Sequence, residues 1–300
     1  MILSFFSNQH KTTIHFGGVH LKRIKTIGLT SVMIALLLTG CAGQKEMEEK
    51  NKALSAINDA SLKVVDLKNG TYTYTASQNI EKEYNNISGD GTFINLENET
   101  IWYTQMSTGQ LDNQTRTLTE EVQQSGKMYQ RFGIVNENNE YIEENIIPEW
   151  KIIAEESNLS PLYLEELIEV DILAENIESI EFSNEGDHTV YELTYTEDYR
   201  DSVMEENIKE LETALENQIS ESGDDFYIST LKKSIEKQQD TEYTNRKVLM
   251  KINKENILVY RLTEDSFDLS VNDTIQSGNV TIVTVIDDYN DSSIGIDVDI

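Results

Sequence analysis

The sequence predicts an α+β fold built on an antiparallel meander, and three observations carry that prediction. Runs of alternating apolar and polar residues, rich in Tyr, Thr, Val and Ile, recur between tight turn signals. Two stretches with helical spacing interrupt them, one near residue 50 and one after residue 200. Connections of a few residues suit hairpins, whereas a parallel sheet needs long crossovers. The count comes to roughly ten strands and three or four helices, an estimate from periodicity alone.

The elements follow in chain order. From about Glu46 to Leu67, the positions Leu54, Ile57, Ser61, Val64 and Val65 recur at three and four, an amphipathic helix stopped by Asn69-Gly70. "GTYTYTAS" then puts Tyr72, Tyr74 and Ala76 on one face of a strand and threonines on the other. "SGDGTFINLENETIWYTQM" predicts two strands, with SGDG as a hairpin signal and a turn at Glu97-Asn98. A further pair turns at Ser125-Gly126. "PEWKIIAEE" and "SPLYLEELIEV" read as short helices, the second with Ser160 as N-cap and Pro161 at the first helical position. Strands return in "IESIEFSNEGDHTVYELTYT", where Tyr191, Leu193 and Tyr195 share a face. Met204, Ile208, Leu211, Leu215 and Ile219 then mark a helix, broken at "SGDD", and Ile228, Leu231 and Ile235 mark another. Strands in "NRKVLMKINKENILVYRLTED", "FDLSV", "NVTIVTVIDDY" and "IGIDV" close the chain.

The first forty residues differ in kind. They hold Lys11, Lys22, Arg23 and Lys25 and no acidic residue, and end in a twelve-residue apolar run, Ile27 to Leu38. That run is shorter than the roughly 20 residues a spanning helix needs. A basic flank, a short apolar core and small residues make residues 1–40 a secretory signal. Residues 1–20 exceed a compact signal, and translation is expected to start near Val19 or Leu21.

The cut is the informative part. "LTGC", with Gly40 before the cut and Cys41 after it, resembles the lipobox of bacterial lipoproteins. The resemblance implies a diacylglycerol on the Cys41 sulfur, palmitate among the acyl chains, and Cys41 as the first mature residue. It also implies a cell-membrane anchor on the extracytoplasmic face. Two acyl chains anchor stably where one does not. Residues 41–52 read as the lipidated tether, and 53–300 as one domain with a helical insertion near 200–238.

Composition limits the chemistry. The full chain carries 24 basic and 54 acidic residues, a net charge of −30. Loss of residues 1–40 removes four basic residues and no acidic ones, giving −34. Such a surface excludes nucleic acid, whose binding relies on basic side chains at phosphates. It stands off anionic headgroups, and leaves a cationic or envelope protein as a possible partner. With Cys41 acylated there is no other cysteine for a disulfide or a thiolate metal site. His188, in "GDHTVYE", is the one histidine after the signal. A turn histidine without partners is no general base, and no catalytic residue or cofactor is expected. Asp288, Asn290, Ser292 and Asp299 fall at positions 1, 3, 5 and 12 of a calcium loop, but the sixth position is Ser293 where glycine is needed. A plain turn is favoured over a metal there.

The order of elements resembles the LolA and LppX/LprG-like lipoprotein superfamily, and more closely its Gram-positive members. The carrying segments are the leading helix, "GTYTYTASQNIE", "GKMYQRFG" running on to "EWKII", the insertion after "VYELTYTED", the pair "VLMKINKENILVYRLTED" and the closing "TIVTVIDDYNDSSIGIDV". The proline that commonly follows is absent. The resemblance implies a strongly curved antiparallel sheet, a half-barrel wrapping helices, with an apolar cavity that takes a lipid or acyl chain in some members. On that reading Trp102, Tyr103, Phe132 and Trp150 should face the concave side and line the cavity, with core packing as the alternative. The function expected is a non-enzymatic binder of a hydrophobic small molecule or lipid; the other candidate is an acidic interaction or sensing module.

Overall fold

The computed structural model describes residues 41–80, 83–94, 101–110, 116–136, 141–142, 148–155, 164–168, 170, 172–220, 225–271, 274–298 and 300. Among the described residues one antiparallel sheet contains every strand. The strands are β1 (Asn69–Ile80), β2 (Glu83–Ile94), β3 (Ile101–Gln110), β4 (Arg116–Gln124), β5 (Lys127–Val135), β6 (Lys151–Glu155), β7 (Ile177–Glu185), β8 (His188–Tyr195), β9 (Thr241–Ile252), β10 (Leu258–Val271) and β11 (Thr274–Tyr289). Their order is β6-β5-β4-β3-β2-β1-β11-β10-β9-β8-β7, so two meanders meet where the last strand pairs with the first. The sheet curves without closing, an α+β half-barrel wrapped around its helices.

Helix α1 (Cys41–Val65) lies over β9 and β10. Its stripe of Leu54, Ile57, Ala60 and Val64 is buried against the concave face, with Leu54, Ile57 and Val64 each contributing about 1.5–3 kcal/mol. Ser61, in the same stripe, donates from Oγ to the carbonyls of Leu167 (3.0 Å) and Ile168 (2.9 Å), joining α1 to the short helix α2 (Glu165–Ile168). Lys50 Nζ fastens the middle of α1, donating to the carbonyl of Ile177 at 2.8 Å. Helices α3 (Glu197–Ser220) and α4 (Asp225–Gln239) form a hairpin inserted between β8 and β9. It has a small core of its own, Leu211, Leu231 and Ile235. Arg200 pins its base, donating to the carbonyls of Tyr195 (2.9 Å) and Tyr243 (3.2 Å).

Residues 41–52 form the first turns of α1; Glu, Lys, Met and Ala are strong helix formers and continue the stripe's helix toward Cys41. Local structure departs from sequence pattern in three places. Lys151–Glu155, read as helical, is β6, paired to β5. The glycines of SGDG do not turn: Gly89 and Gly91 lie within β2, under the rings of Tyr74 and Tyr72 on β1, where a Cβ would collide with either ring. "IGIDV" forms no strand, and "FDLSV" is the end of β10. Ser125 and Gly126 do turn, both at positive φ, between β4 and β5. Glu97-Asn98, Ser160 and Pro161 lie outside the described residues.

Candidate functional site: the concave face

Register assigns each side chain to a face. Tyr72 pairs with Gly91, Gly91 with Thr104, Thr104 with Glu121 and Glu121 with Gln130, one row of the concave face. Beside it run Phe93, Trp102 and Gln123, and on the other side Tyr74, Met106 and Thr119. β1–β3 therefore present an aromatic wall, Tyr72, Tyr74, Phe93 and Trp102, with Met106 at its margin, all buried. The Tyr72 ring stacks on Tyr74 at 6.1 Å and tilts against Phe93 at 6.5 Å. The absent side chains of Gly89 and Gly91 make room for both tyrosine rings.

The wall ends in buried polar groups. Tyr72 Oη and Thr104 Oγ1 are 3.0 Å apart, and Gln130 Nε2 donates to Glu121 Oε1 at 2.7 Å. Burial pushes the Glu121 carboxyl above the usual carboxylate range, against the bond from Gln130. A second polar group lies on the concave face of β9 and β10. Arg261, Thr263 and Asp265 take alternate positions of β10. Arg246 Nε stands 3.6 Å from Asp265 Oδ1, an ion pair too long for a hydrogen bond. Arg261 Nη1 donates to the Glu166 carbonyl at 2.7 Å and pairs with its carboxylate at 3.1 Å. Burial raises the Asp265 carboxyl, and Arg246 opposes the rise. Arg246 sits over the rings of Tyr195 and Tyr199, themselves stacked at 4.6 Å, and burial pushes the Tyr195 hydroxyl up to about 12. Arg246 and Asp265 lie between the main core and the satellite cluster of Ile80, Phe267, Leu269 and Val280.

The four aromatics expected to line one cavity are divided between two faces. Trp102 is in the wall at 1% exposure. Phe132, opposite Thr119, is on the concave face near the β6 edge and 54% exposed. Tyr103 follows Trp102 in the strand and so points to the convex face. There Tyr103 Oη donates to Glu120 Oε1 at 2.8 Å, Tyr141 Oη to Oε2 at 2.6 Å, and Arg131 to both oxygens at 2.9 and 2.6 Å. Arg131 in turn lies 4.4 Å from the centre of the Trp150 ring. Tyr103 and Trp150 thus belong to a clamp that holds the chain after β5 against the sheet's outer face. Burial pushes the Glu120 carboxyl up, but the bonds from Arg131, Tyr141 and Tyr103 outweigh it and leave it below the usual range.

The remaining candidates are placed as follows. His188 opens β8 after the Gly186-Asp187 turn, half-buried in a polar groove of about 340 Å³ with Asn184, Asp187, Tyr191, Asn253 and Lys254. Asp288 is the last residue but one of β11; Asn290 Oδ1 accepts from the Lys68 amide at 2.9 Å, and Asp291 accepts from Ser293 N and Oγ at 2.8 Å. Ser292 lies in that turn; Asp299 is outside the described residues. No group of three or more His, Cys, Asp or Glu suited to a metal occurs among the described residues. Cys41 is the first residue of α1, and Gly40 lies outside the described residues. Sequence reasoning missed the Arg246–Arg261–Asp265 group; the only signal was that β10 alternates as a strand while its inward positions carry charges.

Solved structures to which the chain shows a likeness include the following. LprF from Mycobacterium bovis matches 82% of this chain and 97% of its own, at 10% identity and a TM-score of 0.33. A DUF1329 family protein from Desulfovibrio piger matches 78% and 93%, at 11% identity and TM-score 0.22. Rv2717c from M. tuberculosis matches 75% and 96%, at 8% identity and TM-score 0.19. No family model and no curated protein matches the sequence. The curved half-barrel around helices implied by the sequence resemblance is the architecture observed. No helix among the described residues is long and apolar enough to cross a membrane.

Proposed function

We propose that the chain is a lipoprotein, acylated on Cys41 and held at the extracytoplasmic face of the cell membrane, whose half-barrel binds an apolar ligand without catalysing a reaction. One observation carries the ligand reading. The aromatic wall lies on β1–β3, while α1 and α2 pack mainly over β9 and β10. Tyr72, Tyr74, Phe93 and Trp102 are at most 1% exposed and share one packed cluster with the α1 stripe, so an acyl or prenyl chain would enter between wall and helix, gaining about 25 cal/mol for each Å² of its own apolar surface buried. The buried Glu121–Gln130 pair at the wall's margin would orient its polar end, as a few polar groups do in apolar pockets. The wall also explains why β2 carries Gly89 and Gly91 in mid-strand.

The chain's two tryptophans allow a direct test. In Trp150→Phe the remaining indole, Trp102, stands in the wall. Added laurate should shift its emission and quench it saturably, whereas in Trp102→Phe the convex-face Trp150 should stay unchanged. Equal responses from both variants, or none from Trp102, would refute binding at the wall. For the anchor, labelled palmitate should be incorporated by the natural chain and not by Cys41→Ser.

A further inference from the structure

The two ends of the sheet are unlike. β6 closes one edge with five residues, short enough to offer little to a passing strand. β7 closes the other with nine residues, about 30 Å of edge. After Ile177 every position of β7 is exposed except the half-buried Ile180. It carries Glu178, Glu181 and Glu185 and no basic residue.

Its two faces differ in chemistry. Ile180 and Phe182 pair with Leu193 and Tyr191 and so share the concave face. Phe182 is 72% exposed, its ring tilted against Tyr191 at 6.4 Å. Ser179, Glu181, Ser183 and Glu185 take the convex face. There Glu181 sits directly opposite Glu192, a like-charge pair that costs stability. Lys247 relieves Glu192 at 3.4 Å and Lys251 pairs with Glu185 at 2.9 Å. Lys50 Nζ donates to the Glu178 carbonyl at 3.3 Å, but no Lys or Arg among the described residues comes within ion-pair distance of the Glu178 or Glu181 carboxylate. Charge alone would be ordinary protection of an edge; a large exposed aromatic in mid-edge is the opposite of protection.

We infer that β7 is a strand-addition site for an extended basic segment of another protein, which pairs as a twelfth strand with its cationic side chains over Glu181 and its apolar ones against Phe182. Backbone bonds along the edge would supply affinity, and the alternation of faces would select a basic–apolar repeat. At the hairpin end, the groove between Asn184–Tyr191 and Asn253–Lys254 gives a terminal side chain room to enter. A second copy of this chain is a poor occupant, because two β7 edges would bring Glu178, Glu181 and Glu185 of both copies together with no basic residue on either strand. The site is independent of the ligand reading above.

The test uses the full chain with Cys41→Ser and a labelled nonapeptide alternating lysine and valine. It should bind about ten-fold more tightly than an isomer with lysines and valines in two blocks, because only alternation serves both faces. N-methylation of alternate peptide amides should abolish the preference, and Phe182→Ser, at an exposed position, should weaken binding several-fold. Hydrogen exchange should slow across residues 178–185 when the peptide is bound. Equal binding of the two isomers, protection elsewhere such as on α3, a dimer through β7 that ignores peptide, or no binding would each overturn the inference.

Discussion

Adjacent glutamates on β4 have opposite electrostatic fates. Glu120 on the convex face receives four hydrogen bonds, and its carboxyl lies below the usual range. Its contribution to stability is present above the unfolded pKa of about 4.3 and is lost as pH falls through the lower folded value. Glu121, on the concave face, is raised by burial, so its contribution runs the other way: present below about 4.3 and lost as pH rises through the folded value. Urea melts between pH 4 and 8 should therefore show Glu121→Gln equal to or more stable than the natural chain at pH 7, with the advantage vanishing toward pH 4. Glu120→Gln strands the Arg131 guanidinium and should cost about 2–4 kcal/mol at pH 7. That loss should shrink as the pH falls.

At the scale of elements, β2 is decided by what it lacks. Gly91→Ala places a Cβ inside the Tyr72 ring's space and should cost about 1–3 kcal/mol by overpacking, read as a lowered urea midpoint at unchanged slope. Sequence alone misread these glycines because a glycine pair signals a turn as readily as a close approach. The ring above them belongs to a different strand and cannot be seen from β2 alone. The same limit applied to the aromatics. Trp102 and Tyr103 are neighbours in sequence, and period two sends them to opposite faces whatever their chemistry. Where the pattern was local it was legible: the α1 stripe, the Tyr72–Tyr74–Ala76 face and the Ser125-Gly126 turn follow from spacing and backbone preference. The Arg246–Asp265 pair was not, because it depends on the register of β9 against β10.

For the whole molecule, the topology explains how one sheet serves two roles. The closing β1–β11 pair joins an aromatic half, β1–β5, to a half filled by helices, β7–β10. The α3–α4 hairpin rests on a thin core of three buried residues, so Leu231→Ala should lower helicity there and speed proteolysis of residues 197–239 while the sheet persists. Limited proteolysis with mass mapping reads this directly, and simultaneous loss of the sheet would contradict it. The central claim concerns the other half. Native mass spectrometry of the full chain with Cys41→Ser, purified without detergent, tests it most directly. A fraction should carry an extra non-covalent mass that organic extraction identifies as an apolar lipid. A single ligand-free species that stays so after incubation with laurate and with cell-envelope lipid extract would contradict it.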